Sequence, residues 1–236
     1  CVISLSKMKT HALERITGAV KNSYGFIYGF HKAKGHTQYP SADSFARMLI
    51  DLNKCVAPKL YVIDGILAME GNGPGSGDPV PMNVLLMSTD PVALDSVFSR
   101  LVYLKPEMVP TNYHGEKMGL GTWKEEEITL LTPDGEISMA EAVKKYGNPA
   151  FNVDRTEVRK NIWTRMAGAL NIFQKKPYIE ADKCVRCGIC VQSCPVPGKA
   201  VDFRKGKGKP PVYDYRKCIR CFCCQEMCPK KAIKVK

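Results

Sequence analysis

The stretch from Cys184 to Pro195 reads C-V-R-C-G-I-C-V-Q-S-C-P, and the stretch from Cys218 to Pro229 reads C-I-R-C-F-C-C-Q-E-M-C-P. Both follow one spacing, C-x2-C-x2-C-x3-C-P, with which thiolates hold [4Fe-4S] clusters in pairs. The reach of the ligands explains it. Three cysteines at two-residue gaps wrap a short loop around one cubane, and the fourth, three residues on, points away to ligate the other cluster. The spacing therefore assigns Cys184, Cys187, Cys190 and Cys228 to a first cluster and Cys218, Cys221, Cys224 and Cys194 to a second. The proline after each fourth cysteine fixes φ and stops the preceding turn from continuing as helix.

Thiolate quartets also suit zinc, but zinc ribbons come as two C-x2-C pairs split by a longer spacer, which these denser runs lack. The residues resemble the bacterial two-cluster ferredoxins, over Lys176 to Lys236. Tyr178 to Phe203 and Val212 to Val235 read as two pseudo-repeats, each a strand, a cysteine loop and a second strand. Two features depart from the pattern: Cys223, an extra thiol beside Cys224, and a basic insert from Arg204 to Pro211.

Of 11 cysteines, only Cys1, Cys55 and Cys223 lie outside the motif. Unpaired thiols beside Fe-S ligands point to the reducing cytoplasm rather than to a disulfide framework. No apolar run is long enough to span a membrane, and no signal-peptide pattern starts the chain. The chain opens as a strand in mid-flow, so the natural protein is expected to continue upstream of Cys1. Its 236 residues suffice for one full domain and a small one, with boundaries expected at 1–175 and 176–236.

The net charge is +12, and residues 177–236 supply +9 of it through 14 Lys and Arg against 5 Asp and Glu. Two clusters, each carrying about −2 with their thiolates, would offset part of it. The basic residues are not interleaved with aromatics in a recognition motif, which argues against nucleic acid and for an acidic redox partner protein.

Upstream, the pattern is α/β, with helices against a mixed or parallel sheet. Strands are expected at Cys1–Ser6, in a mostly buried sheet, at Lys59–Asp64 and at Met82–Met87. A glycine-rich loop follows at Gly71–Pro79. Ser41 should cap a helix bearing Phe45, Met48, Leu49 and Leu52, and Asp90-Pro91 a helix running to Val102. A short helix from Ala12, a strand at Glu127–Leu131, a turn at Pro133–Gly135 and a Ser138/Glu141 capping box for a helix ending at Gly147 complete the domain. A further helix is expected at Arg155–Phe173 and the linker at Gln174–Pro177.

The motifs K-M-K-T-H at Lys7–His11, G-A-V-K-N at Gly18–Asn22, His36, D-G at Asp64, M-E-G-N-G-P at Met69–Pro74 and D-P-V-A-L-D at Asp90–Asp95 resemble, in this order, the family known as domain of unknown function 362. That resemblance covers about residues 1–130. It implies a ferredoxin module downstream and an α/β portion ahead of Cys1, and it implies no reaction.

Lys9, His11, Lys21 and His36, with Lys7, form a cationic set. Beside a loop rich in glycine whose backbone N–H groups can approach a ligand, they suit an anionic small molecule, with His11 or His36 moving a proton. Asp64, Glu70, Asp78, Asp90 and Asp95 are an alternative set for a divalent cation, though Asp90 reads better as a helix cap and Asp95 as a surface or capping residue. Cys55 and Cys223 are expected to pack as buried non-ligands, and His114, Trp123 and Trp163 to have no chemical role. Three functions remain open: an oxidoreductase fed by the clusters, a non-catalytic electron carrier docking a redox complex, and a redox-neutral enzyme with structural clusters.

Overall fold

The computed structural model describes residues 1–28, 31–75, 77–156, 176–204 and 206–235. The expected helix at Arg155–Phe173, with Trp163, and the start of the linker fall largely outside them.

Strand β1 (Ile3–His11) alternates exposed and buried side chains. It pairs antiparallel with β2 (Arg15–Thr17) and parallel with β3 (Leu60–Glu70), and β3 pairs antiparallel with β4 (Asp78–Ser88). The sheet is thus mixed, in the order β2-β1-β3-β4. The crossover from β1 to β3 carries α1 (Ala19–Asn22), α2 (His31–Gln38) and α3 (Ala42–Val56). Ser41 caps α3 with a capping box closed by Ser44, and the helix ends at Ala57 in the left-handed region, just before Pro58. Helix α4 (Pro91–Leu101) lies under the sheet with every residue but Arg100 buried. Phe98 meets Phe151 edge-on at 6.5 Å within a core that includes Met8, Ile63, Leu94 and Leu101. Each fully buried side chain of this size contributes about 2–3 kcal/mol.

Several expectations need correction. β1 does not stop at Ser6, because Lys7 and Lys9 take the solvent side of the alternation and let it run on to His11. The segment from Ala12 is a turn into β2 rather than a helix. β4 begins at Asp78, since Pro79 and Pro81 lie on an edge strand where no N–H is needed. The sheet is covered on one face only: Ile3, Leu5, Leu85 and Met87 on the other are 56%, 72%, 52% and 61% exposed. At Glu125–Glu127 the chain makes a 3₁₀ turn, and the strand expected there is limited to β5 (Leu130–Thr132), paired with β6 (Gly135–Ile137). Helix α5 (Pro110–Lys117) is too polar to have announced itself. Helix α6 (Met139–Tyr146) follows its Ser138/Glu141 capping box as expected.

Downstream, β7 (Pro177–Ile179) pairs with β10 (Ile233–Val235), and β8 (Val201–Asp202) with β9 (Val212–Tyr213). Each pairing joins one pseudo-repeat to the other. The repeats share backbone detail: Arg186 and Arg220 have φ of 60° and 57°, and Gly188 and Phe222, at 78° and 58°, precede α7 (Ile189–Gln192) and α8 (Cys223–Glu226). The result is a small ferredoxin-like unit set beside the α/β domain.

Candidate iron-sulfur site and domain junction

The eight motif thiols separate into two groups around two cavities. One cavity is lined by Cys184, Cys187, Cys190 and Cys228. The other is lined by Cys194, Cys218, Cys221 and Cys224. Each group takes three thiols from one repeat and the fourth from the other, because the interlocked strand pairs bring Cys228 back to the first loop and Cys194 to the second. Among the described residues no three His, Cys, Asp or Glu side chains converge closely enough to hold a single ion. The thiols instead stand around a volume.

Their electrostatics fit a polynuclear guest. Burial, with the neighbouring Cys184, Cys187 and Cys228 adding to it, raises the Cys190 thiol to about 11. Burial likewise raises Cys224 and Cys218, each with Cys221 adding to the shift. Buried thiols that resist ionising are donors that cationic iron would relieve. The backbone supplies matching hydrogen bonds: Ala200 N–H donates to Cys194 Sγ and Ala232 N–H to Cys228 Sγ, both at 3.3 Å. Tyr213 adds a hydroxyl to Cys224 Sγ at 3.2 Å. Donors of this kind tune the potential of a thiolate-bound cluster. Cys223 lines neither cavity and is half-buried; its bond with Cys221 pushes Cys223 up and Cys221 down. Cys55, expected to be packed, is exposed.

Helix α8, which carries Cys224, is pressed against the α/β domain. Gln225 Nε2 donates to the carbonyls of Asn72 at 2.7 Å and Gly73 at 3.2 Å, and Asn72 Nδ2 donates to the Ile233 carbonyl at 3.2 Å. His11 Nε2 lies 3.3 Å from Glu226 Oε1. The glycine-rich loop has a steric reason here. A Cβ on Gly75 would stand 2.9 Å from the Glu226 carbonyl oxygen, and one on Gly73 2.3 Å from the Thr10 carbonyl oxygen. Gly75 lets backbone meet backbone across the junction, and Gly73 lets the loop close onto β1.

Three of the four expected cationic residues gather around Glu226, and Lys9 borders them. His11 ends β1, and its Nδ1 accepts N–H bonds from Leu13 and Glu14 at 3.2 and 3.1 Å. That acceptor role leaves the ring proton on Nε2, facing Glu226. Burial, then the charge of Lys21, lowers His11. His36 stacks on Phe45 at 4.5 Å, and burial lowers it to about 4. Burial also lowers Lys21, against the pull of Glu226 and Glu14, with Lys9 and Lys32 lowering it further. Burial alone would raise Glu226, but its bond with His11 and the charge of Lys21 hold it at about 2.

Two members of this junction were not expected. Glu14 is fully buried, neither of its carboxyl oxygens has a partner, and burial raises it well above the carboxylate range. Nothing in its sequence neighbourhood marks it. Glu226 did leave a signal: the equivalent position in the first cysteine loop is the neutral Gln192.

Four of the five carboxylates considered for a divalent cation have separate structural partners; for Asp78 the described residues show none. Asp90 caps α4 through the N–H groups of Val92 and Ala93 and also accepts from Thr122. Asp95 is buried rather than at the surface and accepts from the N–H groups of Ala19 and Val20. Asp64 pairs with Lys7, and Glu70 accepts from Asn152 N–H. His114 pairs with Asp43.

A ferredoxin-like unit with two thiol-lined cavities, docked through a polar junction on a mixed-sheet α/β domain, defines an iron-sulfur electron carrier. In comparison with known families, residues 1–100 match Domain of unknown function (DUF362) and residues 176–229 match a 4Fe-4S dicluster domain. It is 42% identical over 120 residues to the Thylakoid-associated protein sll1697 of Synechocystis sp., an alignment covering 50% of this chain and 37% of that protein. No solved structure matches the chain. Among the described residues no helix is long and apolar enough to cross a membrane.

Proposed function

We propose that the chain binds two [4Fe-4S] clusters, one through Cys184, Cys187, Cys190 and Cys228 and the other through Cys218, Cys221, Cys224 and Cys194, and relays electrons between a partner and the α/β domain. When bound, such clusters supply one-electron storage at potentials set by hydrogen bonds and burial. The observation that carries this reading is the sorting of the thiols into two cavities, each completed by the fourth cysteine of the other repeat. In this arrangement the Ala200 and Ala232 amides and the Tyr213 hydroxyl steady the sulfurs. Gln225 and Glu226 fasten the second quartet to the α/β domain. Free thiols at Cys1, Cys55 and Cys223 suit a reducing compartment such as the cytoplasm.

At the junction, Lys9 and Lys21 supply positive charge for an anionic small molecule, and His11 or His36 is the group to move a proton. What favours a ligand there over a purely docking role is the set of buried, unpartnered atoms: both Glu14 oxygens and His36 Nδ1. Buried polar atoms in native proteins nearly always have partners, so these atoms call for water or a bound molecule.

Anaerobic purification followed by iron analysis and paramagnetic resonance after dithionite tests the relay. About eight irons per chain are expected, and Cys228→Ser should remove the signal of one cluster while leaving the other. Zinc in place of iron, or no reducible signal, overturns the reading.

A further inference from the structure

The two thiol-lined cavities differ in what surrounds them. The cavity of Cys194, Cys218, Cys221 and Cys224 has no charged side chain in its wall, and its helix α8 is turned into the α/β domain. The cavity of Cys184, Cys187, Cys190 and Cys228 includes Arg186 and Lys230, both exposed, and no acid. Its covering loop faces solvent: Val185 is 56% exposed and Cys187 is exposed as well. Pro211 closes the same wall; it is the last residue of the basic insert, and Lys209 lies two residues earlier in the chain. Lys207 and Lys209 are exposed. Among the described residues Arg186, Lys207, Lys209 and Lys230 have no carboxylate within ion-pair distance, whereas Arg204 is engaged by Asp214 and Lys183 by Glu180. Asp182 is the exposed acid on this loop.

Unpaired cations around an exposed apolar tip are a docking face for a partner of opposite charge. Complementary charge raises the encounter rate and orients the partner, while a small apolar centre allows close approach. We propose that the face built by Val185, Arg186, Lys207, Lys209 and Lys230 docks a small acidic one-electron carrier protein, and that electrons pass at the loop of Cys184 to Gly188. In the exchange the carrier is oxidised by one electron and the module reduced by one, with no atom transferred. Such a carrier is favoured over an anionic membrane or nucleic acid because Arg186 and Lys230 flank the exposed thiol loop, where an electron can leave the first quartet. This rests on the two-cluster reading above and adds direction to it: the first quartet meets the partner and the second meets the α/β domain.

The test is stopped-flow oxidation of a photoreduced acidic plant-type [2Fe-2S] ferredoxin by the anaerobic holoprotein across ionic strengths. The expected second-order rate falls steeply with salt. In Lys207→Glu/Lys209→Glu it is expected to be about tenfold lower at low salt and to approach wild type near 0.5 M, where screening is short-ranged. Iron content and resonance signals should be unchanged, so that a missing cluster and a failed docking face are told apart. Carbodiimide cross-linking followed by mass spectrometry gives a readout independent of turnover. It should join carrier carboxylates to Lys207, Lys209 or Lys230. A rate independent of salt and of charge reversal overturns the proposal. So does a variant that loses binding to phosphatidylglycerol vesicles while its transfer rate is unchanged.

Discussion

At the scale of single residues, the junction turns on ionisable groups held away from their ordinary states. Glu14 is the clearest. Its carboxyl is buried without a partner, so ionising it in the folded chain is costly, and its folded pKa is raised by burial. A carboxyl raised on folding binds its proton more tightly in the native state. Its share of stability is therefore complete below the unfolded carboxylate range and is lost as pH rises toward the folded value. Asp95, raised to about 7 by burial despite two N–H bonds, acts in the same direction. Glu14→Gln keeps the shape and removes the titration. Its apparent melting temperature should match wild type near pH 4 and exceed it at pH 8, by an amount corresponding to about 1–3 kcal/mol. Equal melting at both values would show that Glu14 finds a partner once the junction is filled.

At the scale of elements, α3 shows what sequence reveals and what it hides. Its start at Ser41, its buried Phe45 and Leu49, and its stop before Pro58 follow from capping chemistry and helical periodicity, which are local. Asn53 is also fully buried on that helix, and periodicity gives it no role. Its Nδ2 donates to the Val20 carbonyl, Ser23 Oγ and the Leu49 carbonyl at 3.0, 2.7 and 2.8 Å, and its Oδ1 accepts from Tyr61 at 3.1 Å. One side chain thus ties α3 to α1 and β3. Asn53→Ala strands the Tyr61 hydroxyl, while the Val20 carbonyl keeps the Ser23 hydroxyl at 2.6 Å, and should cost about 1–3 kcal/mol by denaturant unfolding; a loss under 1 kcal/mol would mean that water replaces the amide. The same divide runs through the site. The cysteine grouping was legible because thiol spacing fixes reach within a loop, and Lys9, His11, Lys21 and His36 were legible as charges out of place. The ends of β1 and β4 were misread because polarity was taken for termination, when it marked an exposed face or an edge. Glu14 and Asn53 were invisible because their burial depends on elements distant in sequence.

At the scale of the whole molecule, the two parts meet through polar contacts more than apolar ones. Gln225 bonds the Asn72 and Gly73 carbonyls, Asn72 reaches Ile233, and His11 faces Glu226. A junction of this kind holds only while its geometry excludes water, since each bond then gains from low dielectric and has no solvent substitute. Two changes probe it from opposite sides. Gln225→Leu removes both donors to the loop, and Gly75→Val places side-chain atoms against the Glu226 carbonyl, where even a Cβ would stand at 2.9 Å. Losing about 1.4 kcal/mol of local stability speeds amide exchange tenfold. Each variant should therefore show about tenfold or faster exchange on both partners, the segment 71–75 and the segment 223–228, with iron content unchanged. If each variant loosens only the segment that carries it, the two parts do not brace each other. The second quartet would then have no fixed position relative to His11 and Lys21, and electron delivery to the α/β domain would lose its structural basis.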